Sequence, residues 1–127
     1  MSQKILIVDD EPKICDNLAI YLKDEGLQVY TAQTGKEALH YIDTKLEVKT
    51  CVVDLRLPDM HGIEVIMAIR HQIPTMRFII HTGSEDEIVN TILRSTDLNQ
   101  LPIFHKPLVK IENLVQLLHK HSNNIWV

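Results

Sequence analysis

The chain has 127 residues, 45% of them apolar, and a formal net charge of −4 at pH 7. This is the length and composition of one globular domain with a full core. The acidic balance and the lack of a long basic run argue against direct nucleic-acid binding, and every apolar run is too short to span a bilayer. Cys15 and Cys51 sit in apolar contexts without CxxC spacing, which reads as two reduced core residues of a cytoplasmic protein. Met1-Ser2-Gln3-Lys4 leads straight into an apolar run, so no signal peptide is expected.

Strand and helix signals alternate along the chain. The first strand is predicted over Lys4–Val8, followed by a helix from near Glu11 to Asp24. Pro12 suits its first turn, Ile14, Leu18, Tyr21 and Leu22 form its inner stripe, and Gly26 ends it. A second strand spans Gln28–Ala32. Thr34 then reads as a helix N-cap with Glu37 at the capping-box position, and Ala38, Leu39, Ile42 and Leu46 face inward. The third strand is Thr50–Val53, and Leu55–Gly62 is a loop. A third helix is expected over Ile63–His71, closed by Pro74, and a fourth strand over Arg77–His81. Ser84 and Glu85-Asp86-Glu87 open a fourth helix, acid at the positive end of its dipole. Ser95–Gln100 is a polar connector, Leu101–Phe104 the fifth strand. The fifth helix begins near Lys110 and carries Ile111, Leu114, Val115 and Leu118 at helical spacing. Ser122–Val127 is a tail or the start of a linker.

This pattern is (βα)5 in a single domain over residues 1–127. It predicts an α/β fold, a doubly wound parallel five-stranded sheet of flavodoxin-like type with helices on both faces. Strands one and three are expected in the interior. Ligands of such sheets bind at the carboxyl ends of the strands. Four apolar runs lead there into polar residues: Asp9-Asp10, Asp54, Thr82 and Lys106. All therefore belong to one edge. Asp54 is the candidate nucleophile, because a carboxylate can attack phosphorus to form an aspartyl phosphate. Asp10 and Asp54 are placed to bind Mg²⁺ directly and Asp9 through water, since that ion takes oxygen ligands and keeps several waters. Lys106 offers charge and Thr82 a hydroxyl to phosphoryl oxygens, while Gly83 has no side chain to crowd an arriving group. Singly, each is an ordinary cap, turn or surface residue. Their joint placement at strand ends is not. Pro107 allows a cis bond after Lys106.

Residues 5–11 (Ile-Leu-Ile-Val-Asp-Asp-Glu), residues 52–62 (Val-Val-Asp-Leu-Arg-Leu-Pro-Asp-Met-His-Gly), Thr82-Gly83 and Lys106-Pro107 resemble a response-regulator receiver domain, the chemotaxis-receiver-like phosphoacceptor module of two-component signalling. The resemblance covers essentially the whole chain. It implies that Asp54 takes the phosphoryl group from a histidine kinase or phosphotransfer protein. It implies also that Asp9 and Asp10 hold Mg²⁺ with the backbone carbonyl of Arg56 as a further ligand, and that Thr82 and Lys106 couple the phosphoryl group to the surface. The output partner or domain is left open, and the family allows homodimerisation through the fourth helix, fifth strand and fifth helix.

Three departures stand out. Ile103 occupies the place where many receivers have Tyr or Phe, with Phe104 one residue later. The polar connector replaces a usual Gly-Ala pair. His81 and His105 precede Thr82 and Lys106, where apolar or small residues are more usual. Neighbouring strands are expected to bring these two imidazoles close, each hydrogen-bonded at its strand end, and a pH-sensitive switch is the sharper alternative. The other five histidines read as solvated surface, and Trp126 as a residue of the tail.

Two other function classes compete. A Mg²⁺-dependent aspartyl-phosphate phosphohydrolase needs an acid two residues after the nucleophile, where Arg56 stands, and a cap for which the chain has no room. A nucleotide-binding protein needs a P-loop or GxGxxG after the first strand, and neither is present. A degenerate receiver acting only as an interaction module is opposed by the complete set Asp9, Asp10, Asp54, Thr82 and Lys106. The chain is therefore expected to be a signalling module that assists its own phosphorylation and dephosphorylation rather than an enzyme.

Overall fold

The computed structural model describes residues 3–44, 47–83, 90, 94, 97–108 and 110–122. Its strands are β1 (Lys4–Val8), β2 (Gln28–Ala32), β3 (Thr50–Val53), β4 (Arg77–Thr82) and β5 (Ile103–His105). The helices are α1 (Pro12–Asp24), α2 (Gly35–Asp43), α3 (Gly62–Gln72) and α4 (Ile111–Ser122), with a short 3₁₀ turn over Asp97–Gln100. α4 is the helix expected near Lys110. The expected helix opening at Ser84 and Glu85-Asp86-Glu87 lies outside the described residues, as do Leu46 and Trp126; Asn90 and Arg94 within that segment are helical.

All strands are parallel, in the order β2-β1-β3-β4-β5. β1 and β3 are interior as expected, and β4 is interior too, because β5 pairs along its other side. Ile5–Val8 and all of β3 are buried, as strands covered on both faces must be. Their side chains alternate between two cores. Leu6, Val8, Cys51, Val53, Phe78 and Ile80 pack toward α2 and α3. Ile5, Ile7, Val52 and Ile79 pack toward Cys15, Leu18 and Leu22 of α1 and Leu114 and Leu118 of α4. Both cysteines are free and buried.

Local chemistry sets the boundaries. Pro12 occupies the first turn of α1, and Gly26, at φ +86°, takes the left-handed conformation that turns the chain toward β2. The buried residues of α1 are Cys15, Leu18, Ala19 and Leu22. Tyr21, expected in that stripe, is instead exposed, since it sits at the edge of the arc that these four define. β5 starts two residues later than expected. Leu101 donates to the Leu98 carbonyl in a turn that buries Leu98, and pairing begins only after Pro102, whose carbonyl accepts from Ile80. The connector is thus polar in composition but anchored by one apolar residue.

Candidate functional site at the carboxyl edge of the sheet

The sheet register brings the acidic residues together. Asp54 donates its backbone N–H to the Val8 carbonyl (2.8 Å), and Asp9 donates to Ala32 (2.9 Å), so both follow directly from paired strand ends. Ligand oxygens of Asp9, Asp10, Glu11 and Asp54 all lie within 4.8 Å of one another. Asp9 and Asp54 are buried, Asp10 and Glu11 exposed.

Lys106 reaches this cluster from the end of β5, where its N–H donates to the Thr82 carbonyl (2.9 Å). Its Nζ lies 2.7 Å from Asp9 Oδ2, 3.0 Å from Asp54 Oδ2 and 3.2 Å from Glu11 Oε1. Burial pulls the ammonium toward neutrality, but the hydrogen bonds and charges of Asp9 and Asp54 outweigh it and hold its pKa above the usual lysine value. Burial likewise pushes the Asp9 carboxyl upward, against the hydrogen bond from Lys106. Asp9 also accepts the N–H of Glu11 at 3.0 Å, just ahead of α1. The Lys106–Pro107 bond is cis.

Asp10, Glu11, Asp54, Arg56, Thr82, Gly83 and Lys106 line one open pocket of about 340 Å³. Of the residues expected to hold phosphate and metal, all border it except Asp9, which is buried and bonded to Lys106. A Cβ on Gly83 would meet Lys106 Cβ at an ordinary 3.7 Å, so the backbone there tolerates a small side chain. The four carboxylates facing one ammonium form an oxygen-only donor set with surplus negative charge. That set fits a hard divalent cation such as Mg²⁺.

Asp59 and His61 hold the loop after Asp54 against the starts of α2 and α3. Asp59 accepts N–H bonds from Gly35 (2.8 Å) and Lys36 (2.9 Å), while Thr34 Oγ1 accepts from Glu37 (3.0 Å). Together they satisfy the first three N–H groups of α2. The Gly35 bond in particular holds the Asp59 carboxyl below its usual pKa. Glu37, expected in a capping box, does reach back, to the Gln33 N–H (3.1 Å). Gly62 donates to the Leu55 carbonyl, and a Cβ there would collide with the Asp54 carbonyl oxygen and stand 2.7 Å from Leu55 Cα. His61 is not plain solvated surface. Its Nδ1 caps α3 by accepting from Ile63 (3.2 Å), and its backbone bridges Arg56. A Pro-Asp-x-His-Gly run directly before an apolar helix carries both capping signals.

The two strand-end histidines part company. His81 pairs in register with Phe104, and His105 with Thr82. His105 is exposed, whereas His81 is 4% exposed with Nε2 lacking a hydrogen-bond partner among the described residues. The expectation that neighbouring strands bring the two imidazoles close fails, because they stand one register position apart on alternate faces. Burial first, and then the Lys106 charge, lower the His81 pKa to about 4. Ile103 is exposed at the start of β5, and Phe104 packs on the α1–α4 core. Phe104 therefore lies on the other face and does not stand in for an aromatic at Ile103.

Residues 5–119 match the family described as response regulator receiver domain. The chain belongs to this family, the phosphoacceptor domain of two-component response regulators. It is 42% identical over 88 residues to the regulatory protein VanR of Enterococcus faecium, covering 69% of this chain and 37% of the relative. It is 30% identical over 123 residues to the response regulator SaeR of Staphylococcus aureus (strain USA300), covering 94% and 53%. The chain thus spans about half or less of the length of these curated relatives. A receiver domain protein (CheY-like) from Methanospirillum hungatei JF-1 superposes with TM-score 0.82 at 29% identity, covering 97% of this chain and 96% of that one. A receiver domain protein from Clostridium thermocellum does so with TM-score 0.82 at 27% identity, covering 96% and 95%. Among the described residues, no helix is long and apolar enough to cross a membrane.

Proposed function

We propose that this receiver domain takes a phosphoryl group onto Asp54 from a histidine kinase or phosphotransfer protein, and that the altered surface regulates a partner or an output domain. The observation that carries the assignment is the position of Asp54. Its Oδ2 is 3.0 Å from Lys106 Nζ, in a pocket bordered also by Asp10, Thr82 and Arg56, whose backbone N–H donates to Asp54 Oδ1 at 3.3 Å. In the transfer, an Asp54 carboxylate oxygen forms the new O–P bond as the N–P bond of a phosphohistidine, or the O–P bond of an acyl phosphate, breaks. Asp10 and Asp54 would hold Mg²⁺, with Asp9 acting through water and the Arg56 carbonyl as a further ligand. When bound, the ion supplies the positive charge that lets two anions approach. Lys106 exchanges its contact with Asp54 for the phosphoryl oxygens, and Thr82 donates its hydroxyl to them. The chemistry is self-directed, covering phosphoryl uptake and its later hydrolysis, in a cytoplasmic signalling role.

Intact mass after incubation with acetyl phosphate and Mg²⁺ tests this. Wild type gains one phosphoryl group and Asp54→Ala gains none. A wild type that stays unmodified with acetyl phosphate and with a phosphohistidine donor overturns the proposal, and equal gain by Asp54→Ala reassigns the acceptor.

A further inference from the structure

The loop between Asp54 and α3 is closed at its base by its own backbone. Gly62 donates to the Leu55 carbonyl at 2.8 Å, and Arg56 bridges His61. The tip of the loop is tied from outside, to α2. Asp59 Oδ1 accepts the Gly35 N–H at 2.8 Å and Oδ2 accepts the Lys36 N–H at 2.9 Å. Met60 lies over Gly35, where a Cβ would come within 2.5 Å of its Cγ. One carboxylate thus joins the loop to the start of a helix that precedes it by 24 residues. A charged acceptor at the positive end of a helix makes such bonds strong. At the base, the Arg56 N–H donates to Asp54 Oδ1 at 3.3 Å. That is long for an N–H···O bond, so a small displacement of the loop loses it.

We infer that Asp59 is a positioning residue for the phosphoacceptor site: by clamping the loop tip to α2 it fixes the Arg56 backbone beside Asp54, and so sets how tightly the site takes Mg²⁺. The effect on Mg²⁺ rests on the proposed function of the acidic pocket. Asp59 does not line that pocket, so it acts through the loop. Mg²⁺ demands near-ideal octahedral geometry, and a displaced carbonyl ligand therefore costs affinity. Thr34 supplies the internal comparison. Its Oγ1 caps the same turn of α2, accepting from Glu37 at 3.0 Å, but it belongs to the connection from β2 and not to the loop. Losing either cap weakens α2, whereas only the loss of Asp59 releases the loop.

The test compares the 127-residue wild type with Asp59→Ala and Thr34→Ala by amide NMR, first without metal and then in a Mg²⁺ titration. Without metal, amide exchange at Arg56 and Gly62 should be severalfold faster in Asp59→Ala and unchanged in Thr34→Ala, with the β1 and β3 amides protected in all three. In the titration, Asp59→Ala should bind Mg²⁺ more than about threefold more weakly than wild type, since lost support of a metal ligand typically costs tenfold or more. Thr34→Ala should bind it as wild type does. Asp59→Asn keeps one acceptor oxygen and should fall between wild type and Asp59→Ala, and it carries the same test if Asp59→Ala fails to fold. Equal exchange at Gly62 in the Asp59 and Thr34 variants overturns the inference. So does a loss of Mg²⁺ affinity below about threefold, or one shared by both variants. A wild type that binds no Mg²⁺ overturns instead the reading of the pocket, and the metal-free exchange then decides by itself whether Asp59 holds the loop.

Discussion

Lys106 is the residue on which the carboxyl edge turns. Its ammonium lies against the buried carboxyl groups of Asp9 and Asp54, where an unpaired charge would cost on the order of several kcal/mol. His81, one strand away, answers the same environment by staying neutral. Its folded pKa of about 4 lies below the ordinary 6.5. The unfolded chain therefore binds the extra proton first as pH falls, and stability is lost through that window. Asp9, with a raised pKa, pulls the opposite way. The comparison of wild type with His81→Leu isolates the histidine. Urea unfolding in the absence of divalent metal should show wild type losing about 2 kcal/mol relative to the variant between about pH 7 and about pH 5. Parallel pH dependences for the two proteins would contradict this.

At the scale of elements, the loop from Leu55 to Gly62 has two tasks, presenting the Arg56 backbone beside Asp54 and closing the N-terminus of α2. Asp59→Ala should free the Gly35 and Lys36 N–H groups and lower stability by about 1 kcal/mol, read as a shift of the denaturant midpoint at constant slope. The glycines at the site separate clearly. Gly62→Ala forces a Cβ into the Asp54 and Leu55 backbone and should cost about 2 kcal/mol or more while displacing the acceptor. Gly83→Ala meets only an ordinary contact with Lys106 and should cost less than about 1 kcal/mol. Thermal unfolding of both variants, with intact-mass phosphorylation alongside, checks the ordering. Equal destabilisation would show that the close approach at Gly62 does not govern the loop.

Across the whole molecule, the two cores clamp β1 and β3 so that charges from three strand ends stay within a few ångströms. Such an acidic cluster is held together against its own repulsion by the fold, and a divalent cation that binds only the folded state adds stability by mass action. Millimolar Mg²⁺ should therefore raise the thermal midpoint of wild type. The rise should be smaller in Asp10→Asn, with an equal ionic strength of KCl as the control. A midpoint unmoved by Mg²⁺, or moved equally by KCl, would remove the metal from the site.

Much of this was legible in the sequence, because strand periodicity, strand order and the residue after each apolar run are local or topological facts. Apolar runs alternating with helical patterns imply a parallel sheet whose strands all point one way, so Asp9, Asp10, Asp54, Thr82 and Lys106 share its carboxyl edge. Gly26 and Thr34 announced their caps by residue type alone. Tertiary structure decided whatever depends on which face a side chain takes and what stands opposite. Register, not sequence distance, separated His81 from His105 and turned Phe104 away from the place of Ile103. Asp59 and His61 looked like loop polarity until the fold set α2 and α3 beside them. The three-way contact of Lys106 with Asp9, Glu11 and Asp54 joins residues far apart in the chain. Its strength comes from burial, a property of the packed molecule that no local stretch of sequence carries.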